Sequence, residues 1–213
     1  MIDCPNCGSI TAKEITIYND SLRKQSFSFS PVLPSCVHCG AQVSIAHRCD
    51  GGRIIVLTGT CGSGKSTIAQ LLAAMGFLAI DGDCVIQSVK HKRKLKQVDF
   101  SMMADEIACE IDILSLLGGS FVLSSVIMPE NLDRYIEIFE ARNMNYKLFL
   151  LKPDYRAAVE RCRLRTCHTS ITPERWIKHF YDSLNFDSRV IVIDNTDMTA
   201  EETAKDILRL AAY

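Results

Sequence analysis

Gly59-Thr60-Cys61-Gly62-Ser63-Gly64-Lys65-Ser66 decides how this chain reads, because of what surrounds it. The apolar run Ile54-Ile55-Val56-Leu57 precedes it, and Ile68, Leu71 and Leu72 follow at helical spacing. The order is therefore strand, glycine-rich turn, helix. Glycines let successive backbone N–H groups turn inward around phosphate oxygens, and the helix N-terminus adds its positive dipole end. Within Gly-x-x-x-x-Gly-Lys-Ser, Lys65 can reach the outer phosphates and the Ser66 hydroxyl can ligate Mg²⁺, with Thr67 completing the turn. Such a motif in such a context reads as a nucleoside triphosphate site.

Outward from this loop, apolar runs at 54–57, 77–80, 121–123, 146–151 and 190–193 alternate with helical spacings such as Ile107, Ile111 and Leu114. Short continuous apolar runs suit strands buried on both faces of a parallel sheet. Asn131, Thr172 and Thr199 read as helix starts, with Pro173 just inside one of them. Five strands alternating with helices predict an α/β domain over 53–213, a doubly wound parallel five-stranded sheet.

Composition agrees with a packed protein. The chain has 213 residues, 47% of them hydrophobic and 23% charged, and a formal net charge of −1. That balance argues against a wholesale electrostatic grip on nucleic acid or an anionic membrane. No apolar run approaches the ~18 residues of a membrane span. Residues 1–5 carry neither a basic nor an apolar leader pattern, so the expected location is cytoplasmic.

Acidic residues close the proposed phosphate site. Leu78-Ala79-Ile80-Asp81-Gly82-Asp83 puts two carboxylates at the C-terminal end of the second strand, the sheet edge where ligands bind. A carboxylate there can take a proton from an acceptor hydroxyl or anchor Mg²⁺ through water. Plain solvated-turn geometry would also select Asp at these positions. Arg161 and Arg165, four apart on one helix face, can close over transferring phosphate; a basic face near a helix C-terminus is the alternative.

Taken together, these segments resemble the small P-loop kinases, namely gluconate, shikimate and adenylylsulfate kinases and the kinase domain of polynucleotide kinases. The resemblance spans about 53–213 and is carried mainly by residues 57–67 and 80–83. It implies ATP and Mg²⁺, with Asp83 as base toward an acceptor hydroxyl and Asp81 assisting the metal or acceptor. It also implies Arg161 and Arg165 as lid arginines, and adenine near Asn195 and Thr196. The expected activity is transfer of the γ-phosphoryl group to a hydroxyl of a small molecule. Two departures stand out. Ser124-Ser125-Val126-Ile127-Met128-Pro129 ends the third strand without a Walker B aspartate, and it also lacks the Asp-Gly-x-Pro-Arg signature of nucleoside monophosphate kinases.

The first fifty residues follow a different pattern. Ile15 and Ile17, Phe27 and Phe29, and Val43 and Ile45 alternate with mostly polar neighbours, as in short half-buried strands. So small a sheet needs a staple. Of the chain's ten cysteines, Cys4, Cys7, Cys36 and Cys39 form two Cys-x-x-Cys-Gly knuckles. Two such turns supply tetrahedral thiolate coordination for structural zinc. Residues 1–50 therefore read as a zinc ribbon, resembling that family, ahead of the kinase domain. Free or disulfide-bonded thiols are the other reading of these four residues.

Two further features leave the acceptor open. Lys90-His91-Lys92-Arg93-Lys94-Leu95-Lys96 carries five formal positive charges in seven residues. It suits an anionic acceptor or a nucleic-acid 5′ end, and equally a solvated helix. Trp176, Phe180 and Tyr181 suit lid packing or an acceptor platform. Alternative functions are a nucleotide-gated module whose ribbon binds a protein or nucleic acid, and a polynucleotide 5′-hydroxyl kinase.

Overall fold

A computed structural model describes residues 52–94, 99–115, 119–164 and 173–212. Cys4, Cys7, Cys36 and Cys39, the whole expected ribbon, Arg165 and Thr172 lie outside the described residues.

Five strands form one sheet: β1 (Arg53–Thr58), β2 (Leu78–Asp81), β3 (Phe121–Ser124), β4 (Asn145–Leu151) and β5 (Val190–Ile193). Their spatial order is β2-β3-β1-β4-β5 and every pairing is parallel. The chain starts in the middle, winds to one edge, and returns to build the other. That is the doubly wound α/β architecture expected from the sequence. The helices are α1 (Lys65–Ala74), α2 (Gly82–Arg93), α3 (Phe100–Ser115), α4 (Leu132–Glu140), α5 (Tyr155–Arg163), α6 (Glu174–Ser183) and α7 (Ala200–Ala211).

Alternation along each strand sends neighbouring side chains to opposite faces, so β1 feeds two cores. Ile54 and Val56 pack with Ile107 and Ile111 of α3 and with Tyr135 and Phe139 of α4. Ile55 and Leu57 pack with Ile68 and Leu72 of α1 and with Ala204 and Ile207 of α7. All of these side chains are essentially removed from water. Burial on both faces is what makes the central strands β1 and β3 so apolar.

Local chemistry sets the helix starts. Thr199 forms a reciprocal capping box with Glu202, whose N–H donates to the threonine hydroxyl at 3.1 Å. Asp81 caps α2 by accepting from the N–H groups of Asp83 and Cys84 at 2.8 and 3.3 Å. Pro173 lies just before α6 rather than inside it. Its carbonyl accepts from Trp176 N–H at 2.9 Å, which makes it the cap residue. Asn131 ends a short 3-10 turn, Pro129–Asn131, ahead of α4. Among the described residues no helix is long and apolar enough to cross a membrane.

Candidate active site

The phosphate loop leaves β1 at the C-terminal edge of the sheet and enters α1. Gly59, Gly62 and Gly64 have φ of 148°, 82° and 95°, so the loop winds through conformations that side chains resist. Gly62 is also sterically required: a Cβ there would lie 2.1 Å from the Ala158 carbonyl oxygen of α5. Lys65 is 9% exposed, and its ammonium folds back on the loop, donating to the carbonyls of Gly59 and Thr60 at 2.8 and 2.9 Å. Ser66 Oγ lies 3.5 Å from Ser124 Oγ at the end of β3. A hydroxyl therefore stands where β3 offers no carboxylate.

Two ties hold the loop from outside. Asn195, after β5, donates through Nδ2 to the Ser63 carbonyl at 3.0 Å and is 3% exposed. The Thr60 hydroxyl donates to the Ile177 carbonyl of α6 at 3.0 Å. Cys61 packs against the apolar cluster of Ala158, Val159, Cys162 and Ile177 between α5 and α6. Thr60, Cys61 and Ser63 thus serve as anchors of the loop as well as members of it.

Arg161 is seated beside the β5–α7 turn. Its guanidinium donates to the carbonyls of Asn195 and Thr196, both at 2.8 Å. Thr196 in turn accepts from Asp154 N–H at 2.7 Å and donates to Asp194. The Thr196 hydroxyl, its N–H and the nearby Arg161 charge hold the Asp194 carboxyl below the usual carboxylate range. A cavity of about 250 Å³ opens here, between the phosphate loop and the start of α7, with Thr67, Arg161, Asn195 and Met198 on its walls. Of the residues expected from the sequence at triphosphate and adenine, Gly62, Gly64, Thr67 and Asn195 line this cavity.

Asp83 is exposed in the first turn of α2, and Asp81 is half-buried with one carboxylate oxygen engaged as the cap. Burial first, and then the Asp81 and Asp83 charges, raise the Cys84 thiol above its ordinary value. Lys90 and His91 continue α2, and Lys94 ends it in a left-handed conformation with φ of 53°. On α6, Trp176 is 48% exposed and stacks on Phe180, whose ring meets Phe100 of α3 edge-on at 6.0 Å. Among the described residues no cluster of three or more His, Cys, Asp or Glu has the geometry of a metal cage. Magnesium at this site would depend on Ser66, a carboxylate and the phosphates themselves.

Comparisons with known proteins place this geometry. A family model described as an AAA domain matches residues 55–179, more than half the chain. No curated protein sequence matches. Among solved structures, a gluconokinase from Sinorhizobium meliloti is similar at 20% identity, over 78% of this chain and 95% of that one, with a TM-score of 0.51. A sugar kinase from a Janibacter species is similar at 20% identity, over 76% and 99%, with a TM-score of 0.54. The tunicamycin resistance protein of Deinococcus radiodurans is similar at 16% identity, over 76% and 96%, with a TM-score of 0.56. At these identities the likeness establishes the fold.

Proposed function

Since the chain belongs to the AAA domain family, we propose that it is a phosphotransferase moving the γ-phosphoryl group of ATP to a hydroxyl of a small molecule. The observation that carries this reading is the phosphate loop. Three positive-φ glycines and the Lys65 ammonium gather at the C-terminal edge of β1, the same sheet edge at which Asp83 follows β2, two strands away. The kinases among the similar folds support it.

In this reading, the loop N–H groups and Lys65 hold the triphosphate and draw charge off its outer oxygens. Ser66 would hold Mg²⁺ with the phosphates, and Asp81 would assist through its remaining oxygen. Magnesium, when bound, neutralises charge on the β- and γ-oxygens. Asp83 accepts the acceptor's proton as that oxygen bonds to the γ-phosphorus and the bond to the β–γ bridging oxygen breaks, leaving ADP. Arg161, fixed on the Asn195 and Thr196 carbonyls, shapes the base end of the cavity, and Arg165 would close from the segment beyond α5. Residues 1–50 would form the zinc ribbon on Cys4, Cys7, Cys36 and Cys39.

Release of ADP from the purified chain tests this reading, with a panel of sugars, nucleosides and other polyols added singly. A phosphotransferase stays near its basal rate until one acceptor is present. Equal turnover throughout the panel would instead favour a nucleotide-gated module, for which the Thr60–Ile177 hydrogen bond supplies a route from loop to helix.

A further inference from the structure

The end of β3 does more than occupy the place of a missing carboxylate. Register pairs Ser124 with Asp81, so the residue after each strand lies beside the other strand's exit. Gly82 and Ser125 meet there. A Cβ on Gly82 would fall 2.4 Å from Ser125 Oγ, 2.7 Å from Ser125 Cβ and 3.1 Å from the Ser124 carbonyl oxygen. Gly82 is not among the residues with positive φ, so glycine is required by contact rather than by conformation.

Ser125 cannot retreat. Its N–H donates to the Leu57 carbonyl at 3.1 Å, tying it to the strand that delivers the phosphate loop. Two residues further on, Ile127 N–H donates to the Thr58 hydroxyl at 3.0 Å. The Ser125 hydroxyl faces the phenol of Tyr135 on α4, near enough to act on its pKa, and both residues are buried. Burial pushes that phenol above its ordinary pKa, so it stays protonated.

We infer that Ser125, braced by Tyr135, is a positioning residue: it is the backstop that fixes the Asp81-Gly82-Asp83 turn at a set distance from the phosphate loop. The inference rests on the role given to Asp83 above. Leu57 leads into the loop, Ser125 is bonded to Leu57, Gly82 presses on Ser125, and Asp83 follows Gly82. A short rigid stack of this kind transmits position without touching substrate. Serine suits the point of contact because it is small and because its hydroxyl has the polar Tyr135 phenol to face.

The test uses the full chain with Ser125→Ala, Tyr135→Phe and the double variant. Two readouts are taken: steady-state ATP turnover with the acceptor that stimulates the wild type, and amide hydrogen exchange. The inference predicts that each single variant lowers kcat about ten- to a hundredfold, the cost of misplacing a catalytic group by about 1 Å. The KM for ATP stays unchanged, and the double variant is no worse than the poorer single one. It also predicts that the Asp83 and Cys84 amides, which donate to the Asp81 cap, exchange about tenfold faster while those of α7 do not. Unchanged exchange at Asp83 and Cys84, or uniform acceleration across the sheet and α7, would overturn it. If the wild type turns over with no acceptor, the phosphotransferase reading fails alone, and the exchange pattern still decides the positioning.

Discussion

The Thr60 hydroxyl donates to the main-chain carbonyl of Ile177 over 3.0 Å, joining the phosphate loop to a helix 117 positions further along the chain. Both residues are buried. Whatever reshapes the loop is therefore felt in α6, and the chain's single tryptophan, Trp176, is the neighbour of that carbonyl. ATP binding should change the emission of Trp176. Thr60→Val, which keeps the shape but loses the donor, should weaken that change and lower stability by about 1 kcal/mol. Fluorescence titration with ATP and thermal unfolding check both parts, and an undiminished emission change in the variant would mean that the bond carries no signal.

Asp83 is exposed, and no hydrogen bond to its carboxylate is seen among the described residues, so removing its charge costs the fold little. Asp83→Asn should lower acceptor-dependent turnover by about 10²–10⁴-fold, the usual span for a lost general base. The affinity for ATP should stay within about twofold, because the loop and Lys65 are untouched. Retention of full turnover would assign proton removal to another group or to solvent.

Acid stability has a local contribution at the β5 entrance. Asp187 accepts from Arg189 through side chain and main chain, which lowers its pKa to about 2. A carboxylate depressed in the folded state stabilises above its unfolded value, about 3.9, and loses that contribution as the pH falls toward the folded value. The pair is exposed, so the effect is small. Asp187→Asn should lower Tm slightly at neutral pH and by progressively less between about pH 4 and pH 2, where variant and wild type converge. A decline identical to the wild type's would show that other carboxylates govern acid unfolding.

If Cys4, Cys7, Cys36 and Cys39 hold zinc, the purified chain should contain about one zinc per molecule. Cys36→Ser should abolish retention under mild chelation, whereas Cys109→Ser should not. Elemental analysis after gel filtration measures this. Zinc content that is absent, or that is indifferent to Cys36→Ser, would leave the four thiols without a metal role.

Much of the sheet was legible because its causes are local. The run 190–193 became β5 residue for residue because an unbroken run of β-branched residues suits a strand, even at this sheet edge where Val190 and Ile193 are buried and Val192 is exposed. Thr199 announced α7 because a capping box needs only residues three apart. The glycine loop declared itself through its own spacing. Contacts made across the fold left no such trace. Nothing near Asn195 in the sequence indicates that its amide holds Ser63, 132 positions away. Arg161 reads as one of several arginines on a helix face, yet its guanidinium bonds to two carbonyls beyond β5. Gly82 looks like an ordinary turn glycine, and only the approach of Ser125 explains it.

The most direct test follows the γ-phosphoryl group itself. Purified chain is incubated with γ-labelled ATP, Mg²⁺ and a panel of hydroxylated small molecules and 5′-hydroxyl oligonucleotides, alongside Lys65→Ala. The account predicts a labelled small-molecule phosphate that forms with the wild type and is lost in the variant. Label recovered only as inorganic phosphate, at the same rate with and without every acceptor, would contradict it.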